Sequence, residues 1–359
     1  SASDRRGLFY GAVTLWQLIG TGPSKMPIKL PAMRIEDTPR FAWRGVMLDS
    51  ARHFQSPEFI ERFIDWMALN KLNVLHWHLS DDQAWRLEIR KYPRLTEIGA
   101  WRLPAGPPQQ RYGGFYSQDT VRRLVRYASD RNVTIVPEIE MPGHATARPV
   151  RYPELPVDGA APAAVPADWG IYANLYNVED GTFAFLENVL AEVFELFPGE
   201  YVHVGGDEAV KDQWHASPRV QALMRERGIP DEHALQSYFV QRIGRFVSAH
   251  GRKLVGWDEI LEGGLAPDAT VMSWRGIDGA LAAAAAGHDT ILSPWPTLYL
   301  DNRQAAGPAQ PPGRGRIISL EDVYRFDPMP VAITADRRHH VLGVQANLWT
   351  EHMRTEDRV

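Results

Sequence analysis

The chain has 359 residues, 44% of them apolar, with a formal net charge of −5 and no cysteine. That length suits one large domain or two ordinary ones, and the apolar share is enough for a substantial core. The charge offers no basic surface for nucleic acid or anionic membrane, disulfides and thiolate chemistry are excluded, and any zinc site would have to use His and carboxylates. No apolar run reaches about 18 residues, so no membrane-spanning helix is expected.

Residues 5–20 read as a helix, because Leu8, Ala12, Leu15, Trp16 and Ile19 recur at helical spacing. A Pro-rich connection covers 21–40. The first strand is residues 45–50, followed by a helix from about 57 to 70 with Ser56 as its cap and Pro57 at its first position. The second strand, 73–79, runs into Ser80, Asp81 and Asp82. An irregular segment with Gly and Pro through 104–114 leads to a helix from Ser117 to about 132. The third strand, 134–139, ends in Glu140 and, past a Pro-Gly turn, His144. Residues 151–170 form a Pro/Ala loop too long for a plain connection, and so a candidate functional wall. A helix over 182–197 precedes the fourth strand, which begins at Tyr201. After a helix over 232–250 come strands at 253–257 and 270–274, an Ala-rich helix at 277–286, and a strand at 290–293. The loop behind that strand carries Trp295, Tyr299 and Asp301, then a Gly/Pro/Gln stretch over 303–316. The eighth strand, 341–346, leads into Trp349 and Glu351.

Eight short strands, mostly separated by helical stretches, mean parallel pairing, and eight such units close a (β/α)8 TIM barrel, an α/β fold. An open doubly wound sheet is the alternative. A Gly-rich phosphate loop after the first strand would favour it, and the sequence has none there.

The stretch YVHVGGDE, residues 201–208, carries the densest chemistry. On a continuing strand Asp207 and Glu208 would point to opposite faces. They can share a pocket only where strand gives way to loop, which is where barrel enzymes keep catalytic residues. A surface turn with two solvated acids is the plainer reading, but the run is too apolar for it. Every other strand end also carries polar or aromatic residues: Arg52, Asp81, Asp82, Glu140, His144, Trp257, Trp274, Tyr299, Asp301, Trp349 and Glu351. Twelve tryptophans, several of them beside acids or glycines at these ends, offer flat faces for sugar rings. Arg52 could instead be a structural ion pair, His144 a core histidine, and Trp257 and Trp274 barrel filling. A metal site at Asp81, Asp82, Glu140 and His144 lacks a supporting His-x-x-x-His helix, so no metal and no cofactor is expected.

HVGGDE at 203–208 closely resembles the signature of family 20 glycoside hydrolases, the β-N-acetylhexosaminidases. So do RGVMLDSARHF at 44–54, HWHLSDDQ at 76–83, PEIEMPGH at 137–144, GWDE at 256–259, SWRG at 273–276 and LWTE at 348–351, in the family's order. The resemblance implies that Glu208 is the general acid and base, and that the substrate's own 2-acetamido oxygen is the nucleophile. It implies that Asp207 orients the acetamide and stabilises positive charge, that Tyr299 donates to the acetamido oxygen, and that Trp257, Trp274 and Trp349 box the sugar. Arg52, Asp301 and Glu351 would bind sugar hydroxyls. His144 would pair with Asp81 or Asp82 behind the acids; the resemblance leaves open which. The implied partners are N-acetylhexosamine-containing oligosaccharides or glycoconjugates, and such substrates point to a secreted or periplasmic protein, with the cytoplasm left open because the lack of cysteine does not fix the compartment.

The pattern usually has Asp where Glu140 stands and Gly where Ala84 stands. Residues 1–40 are expected to be the remnant of an N-terminal α/β domain and its linker, and 41–359 the catalytic barrel without its last helix. A further segment or a partner chain is expected over the resulting seam. An inactive carbohydrate-binding relative, or a fragment with the same fold, is the alternative to an active enzyme.

Overall fold

The computed structural model describes the chain except residues 1, 21–29, 105–109, 148–151, 153–154 and 158–163. Much of the wall expected at 151–170, and parts of the connections at 21–40 and 104–114, therefore lie outside the described residues.

Eight strands close a barrel: β1 (Trp43–Asp49), β2 (Val74–His78), β3 (Thr134–Glu138), β4 (Tyr201–His203), β5 (Lys253–Trp257), β6 (Thr270–Ser273), β7 (Thr290–Leu292) and β8 (Val341–Leu348). Every neighbouring pair is parallel. Closure runs through β1 and β8, registered from Trp43 opposite Gly343 to Leu48 opposite Leu348. A strand covered on both faces has no solvent side, which is why β2, VLHWH, is buried at all five positions instead of alternating with exposed polar residues. Met47, Val136, Val255, Met272 and Ile291, one residue from each of five strands, form one apolar cluster, as the inward layers of a barrel do. A larger cluster joins strands to helices through Ile60, Ile64, Leu124, Leu190 and Ile243.

Those helices are α2 (Pro57–Leu69), α3 (Gln118–Ser129), α4 (Asp180–Leu196) and α5 (Glu232–Ala249), with α6 (Asp278–Ala286) farther on. Ser56, Ser117 and Asp231 accept from the backbone of the first turns of α2, α3 and α5, supplying partners that helix starts lack. The β5–β6 connection carries only a single 3-10 turn, Asp258–Leu261. The β7–β8 connection departs from a plain loop. Asn302–Arg303 pairs with Arg314–Ile317 in a two-stranded ribbon, and a short helix, Leu320–Arg325, follows. At the other end, α1 (Arg5–Ile19) is tied to the barrel by Arg44 donating to the Tyr10 hydroxyl at 2.9 Å and Lys71 to Thr14 at 2.7 Å. All five of its periodic residues, Leu8, Ala12, Leu15, Trp16 and Ile19, remain exposed.

Candidate active site

The C-terminal ends of the strands face one mouth, and the acids are set there by backbone geometry. After β4 the chain passes through Gly205 at φ +67° and Gly206 at φ +96°, then Asp207 and Glu208. Glu208 itself is left-handed at φ +47°, as is His144 at φ +43°. Such conformations cost a residue with a side chain on the order of 1–3 kcal/mol and persist only where surroundings enforce them. Gln236 helps, donating from α5 to the carbonyl of Gly206 at 2.7 Å.

The two left-handed residues meet. His144 Nε2 lies 3.3 Å from Glu208 Oε2 and 3.7 Å from Asp207 Oδ2. Its other nitrogen, Nδ1, is 3.0 Å from Asp82 Oδ2 and 3.4 Å from Asp81 Oδ1. The question of which Asp pairs with His144 is answered by both, with Asp82 nearer. Burial opposes a charge on His144, but the charge of Asp81, with hydrogen bonds that His144 donates to Asp81, Asp82 and Glu208, outweighs it and raises the pKa well above the ordinary value. Asp207 is pushed up to about 7 by burial, only partly offset by His144. Glu208, although burial favours its neutral form, is drawn below its ordinary value by the hydrogen bond and charge of His144.

Behind this pair lies a buried chain of alternating charges. Arg52 reaches Asp81 Oδ2 at 2.8 Å, and His78 Nε2 meets the same oxygen at 2.9 Å. His78 then bonds Glu138, whose oxygens also lie 3.1 Å from His76 Nε2 and 2.9 Å from His203 Nδ1 and accept from the Trp257 indole at 2.9 Å. Burial opposes ionisation of Glu138, yet His78, His203 and His76 carry its pKa well below the usual carboxylate value. Several of these His and carboxylate groups lie close enough to hold a cation, but each already has oppositely charged or donor neighbours within the network.

Rings line the mouth. Centroids separate Trp257 from Trp349 by 6.1 Å, Tyr299 from Trp349 by 6.4 Å and Trp274 from Tyr299 by 6.3 Å. Trp257 is aimed by Glu138, and Trp274 by Glu259, whose carboxylate accepts from the indole at 2.9 Å. Arg52 stacks over Trp349 at 5.0 Å. Together these residues enclose a cleft of about 380 Å³, lined by Arg52, His144, Asp207, Glu208, Trp257, Trp274, Tyr299 and Trp349 among the residues expected from sequence. Asp81 and Arg314 line it too. Asp301 and Glu351 take a different place: each binds the guanidinium of Arg314, Glu351 at 2.7 Å. Sequence reasoning assigned no role to Glu138, Glu259 or Arg314. The first two stand inside motifs already singled out, PEIE and GWDE, whereas Arg314 sits in a Gly/Pro stretch with no local signal.

Carboxylates with divergent pKa values beneath an aromatic box, at the C-terminal mouth of an eight-stranded barrel, define a glycoside hydrolase type of site. Residues 41–359 match the family model for the glycosyl hydrolase family 20 catalytic domain, and the chain belongs to that family. A β-hexosaminidase of Porphyromonas gingivalis is 48% identical over 98% of this chain and 46% of its own length. A β-hexosaminidase of Vibrio furnissii is 36% identical over all of this chain and 60% of its own. The chain thus spans roughly half the length of these relatives. Among solved structures, the family 20 exo β-N-acetylglucosaminidase of Vibrio harveyi in complex with N-acetylglucosamine superposes with a TM-score of 0.85 at 34% identity, covering 97% of this chain and 56% of that one.

Proposed function

We propose that this barrel is the catalytic unit of an exo-acting β-N-acetylhexosaminidase. It removes terminal non-reducing N-acetylglucosamine or N-acetylgalactosamine from oligosaccharides and glycoconjugates, with retention. The observation that carries the reading is the convergence of Asp207, Glu208 and His144 beneath Trp257, Trp274, Trp349 and Tyr299.

The substrate's acetamide oxygen attacks the anomeric carbon while Glu208 protonates the leaving oxygen. Asp207 accepts from the acetamide N–H and offsets the positive charge of the resulting oxazolinium, and Tyr299 donates to the acetamide oxygen. Glu208 then takes a proton from the water that opens the oxazolinium. The two inversions give net retention.

This chemistry needs the proton on Glu208 and the charge on Asp207, the reverse of their order in the open cleft. A bound sugar reverses it. The Glu208 side chain is 32% exposed, so a sugar covering it removes the water that favours its ionised form. The acetamide N–H meanwhile stabilises ionised Asp207. His144, in reach of both oxygens, is placed to pass the proton between them.

The test compares a nitrophenyl β-N-acetylglucosaminide with the matching plain β-glucoside, which lacks the internal nucleophile. Only the former should turn over, and equal rates on both would sink the mechanism. Glu208→Gln should lose about 10²–10⁴-fold on substrates with poor leaving groups while retaining binding.

A further inference from the structure

Arg314 belongs to the wall of the cleft, although it comes from a stretch without recognisable pattern. Its position is built. The backbone N–H of Arg314 donates to the carbonyl of Asp301 at 3.0 Å, inside the ribbon that pairs Asn302 with Arg314. The preceding Gly313 allows this approach, since a Cβ there would sit 2.7 Å from that same carbonyl oxygen. The guanidinium then spans two acids, its Nε on Asp301 Oδ2 and one terminal nitrogen on Glu351 Oε1 at 2.7 Å.

That clamp leaves groups over on both sides. Among the described residues, nothing donates a hydrogen bond to the buried Asp301 Oδ1 or Glu351 Oε2. Arg314 Nη1 has no hydrogen-bond acceptor among the described residues. A guanidinium carries five N–H donors in a fixed plane, so unused donors remain beside two unused acceptors. Sugar hydroxyls, each a donor and an acceptor, complement this mixture. A second anion does not, because two carboxylates against one guanidinium leave the cluster negative.

We propose that Arg314 is a further specificity-determining residue, which donates to a hydroxyl oxygen of the terminal sugar beside the acceptors already expected at Asp301 and Glu351. The inference rests on the reading given under Proposed function, in which Asp207 and Tyr299 hold the C1–C2 edge of the pyranose. Beyond that edge the free hydroxyls of the sugar are those on C3, C4 and C6, and these are offered to Arg314, whose guanidinium lies 5.9 Å from the centre of the Tyr299 ring.

Wild type, R314M and R314K are compared on the parent nitrophenyl N-acetylglucosaminide and on its 3-deoxy, 4-deoxy and 6-deoxy analogues. Calorimetric binding of N-acetylglucosamine and its deoxy forms runs alongside. Wild type should prefer the parent over one deoxy analogue by about 10- to 100-fold, as sites built to bond a hydroxyl do. In R314M that ratio should collapse towards one through KM, with R314K, which keeps the charge but not the fork, falling between. Three outcomes overturn the proposal: an undiminished ratio in R314M, equal losses on parent and deoxy substrates, or tighter sugar binding in R314M, which would make Arg314 a competitor of the sugar. If R314M does not fold, an unchanged ratio in R314K overturns it. Sugar binding without turnover in wild type would remove the hydrolase reading alone, because the binding ratios still decide the role of Arg314; no sugar binding at all overturns both.

Discussion

Gly205 lacks a side chain because Glu140 fills the space. A Cβ at position 205 would stand 1.8 Å from Glu140 Oε2, and the backbone is left-handed at φ +67°. Both carboxyl oxygens of Glu140 are buried without a hydrogen-bond partner among the described residues. Burial first, then the charge of Asp207, raises the pKa of Glu140 well above the ordinary value. Gly205→Ala should therefore destabilise the protein by more than about 2 kcal/mol, combining a steric clash with a strained conformation. Adding Glu140→Asp, which withdraws the carboxyl by one methylene, should restore part of the loss. Chemical denaturation of the single and double variants measures both effects, and a Gly205→Ala protein as stable as wild type would refute the packing argument.

Among the elements, the ribbon between β7 and β8 is the one that turns a connection into part of the site. Asn302–Arg303 and Arg314–Ile317 are too short to be stable alone. They are held by Asp301, whose carbonyl takes the Arg314 N–H and whose carboxylate takes its guanidinium. Gly313→Ala should push Arg314 away from Asp301 without touching the barrel core. The expected result is a KM several-fold higher, with kcat less affected and the melting temperature nearly unchanged. A fall in melting temperature with unchanged KM would show instead that the ribbon supports the fold and not the site.

Across the whole molecule, the site's electrostatics set a pH dependence of stability. His78 is raised from 6.5 to about 10, because Glu138 and Asp81 outweigh the burial that opposes its charge. Burial lifts Asp207 from 3.8 to about 7, and burial with Asp207's charge lifts Glu259 from 4.5 to about 8. Each raised value means that the folded chain keeps a proton the unfolded chain has already released, so stability falls as pH rises across that interval. His53 and His76 are shifted the other way by burial, to about 4, so the unfolded chain is still shedding their protons just above pH 6.5; that smaller, opposing contribution fades by about pH 7.5. Between pH 6.5 and 8 the remaining contributions point one way. The melting temperature of the sugar-free protein should drop by several degrees over that interval in calorimetry, and a rise would contradict the charge network as described.

The amino-acid sequence by itself determined the barrel and most of the mouth. Strand and helix periods are local, and a strand buried on both faces writes an apolar run wherever it occurs, so eight repeats of strand and helix were legible. Catalytic groups stand at strand ends, so the motifs from Arg52 to Trp349 carried their own addresses. Only the tertiary structure decided how those groups charge one another. Folding brings His144 within 4 Å of both Asp207 and Glu208, and the lowered pKa of Glu208 comes from His144, 64 residues earlier in the chain. Glu138 looks like any strand acid until three histidines and an indole close on it. Arg314 could not be found from its Gly/Pro surroundings, since its place depends on Asp301 and Glu351, which meet only when β7 and β8 lie side by side. Local pattern follows from backbone geometry over a few residues, whereas charge and burial depend on neighbours that the chain supplies from any distance.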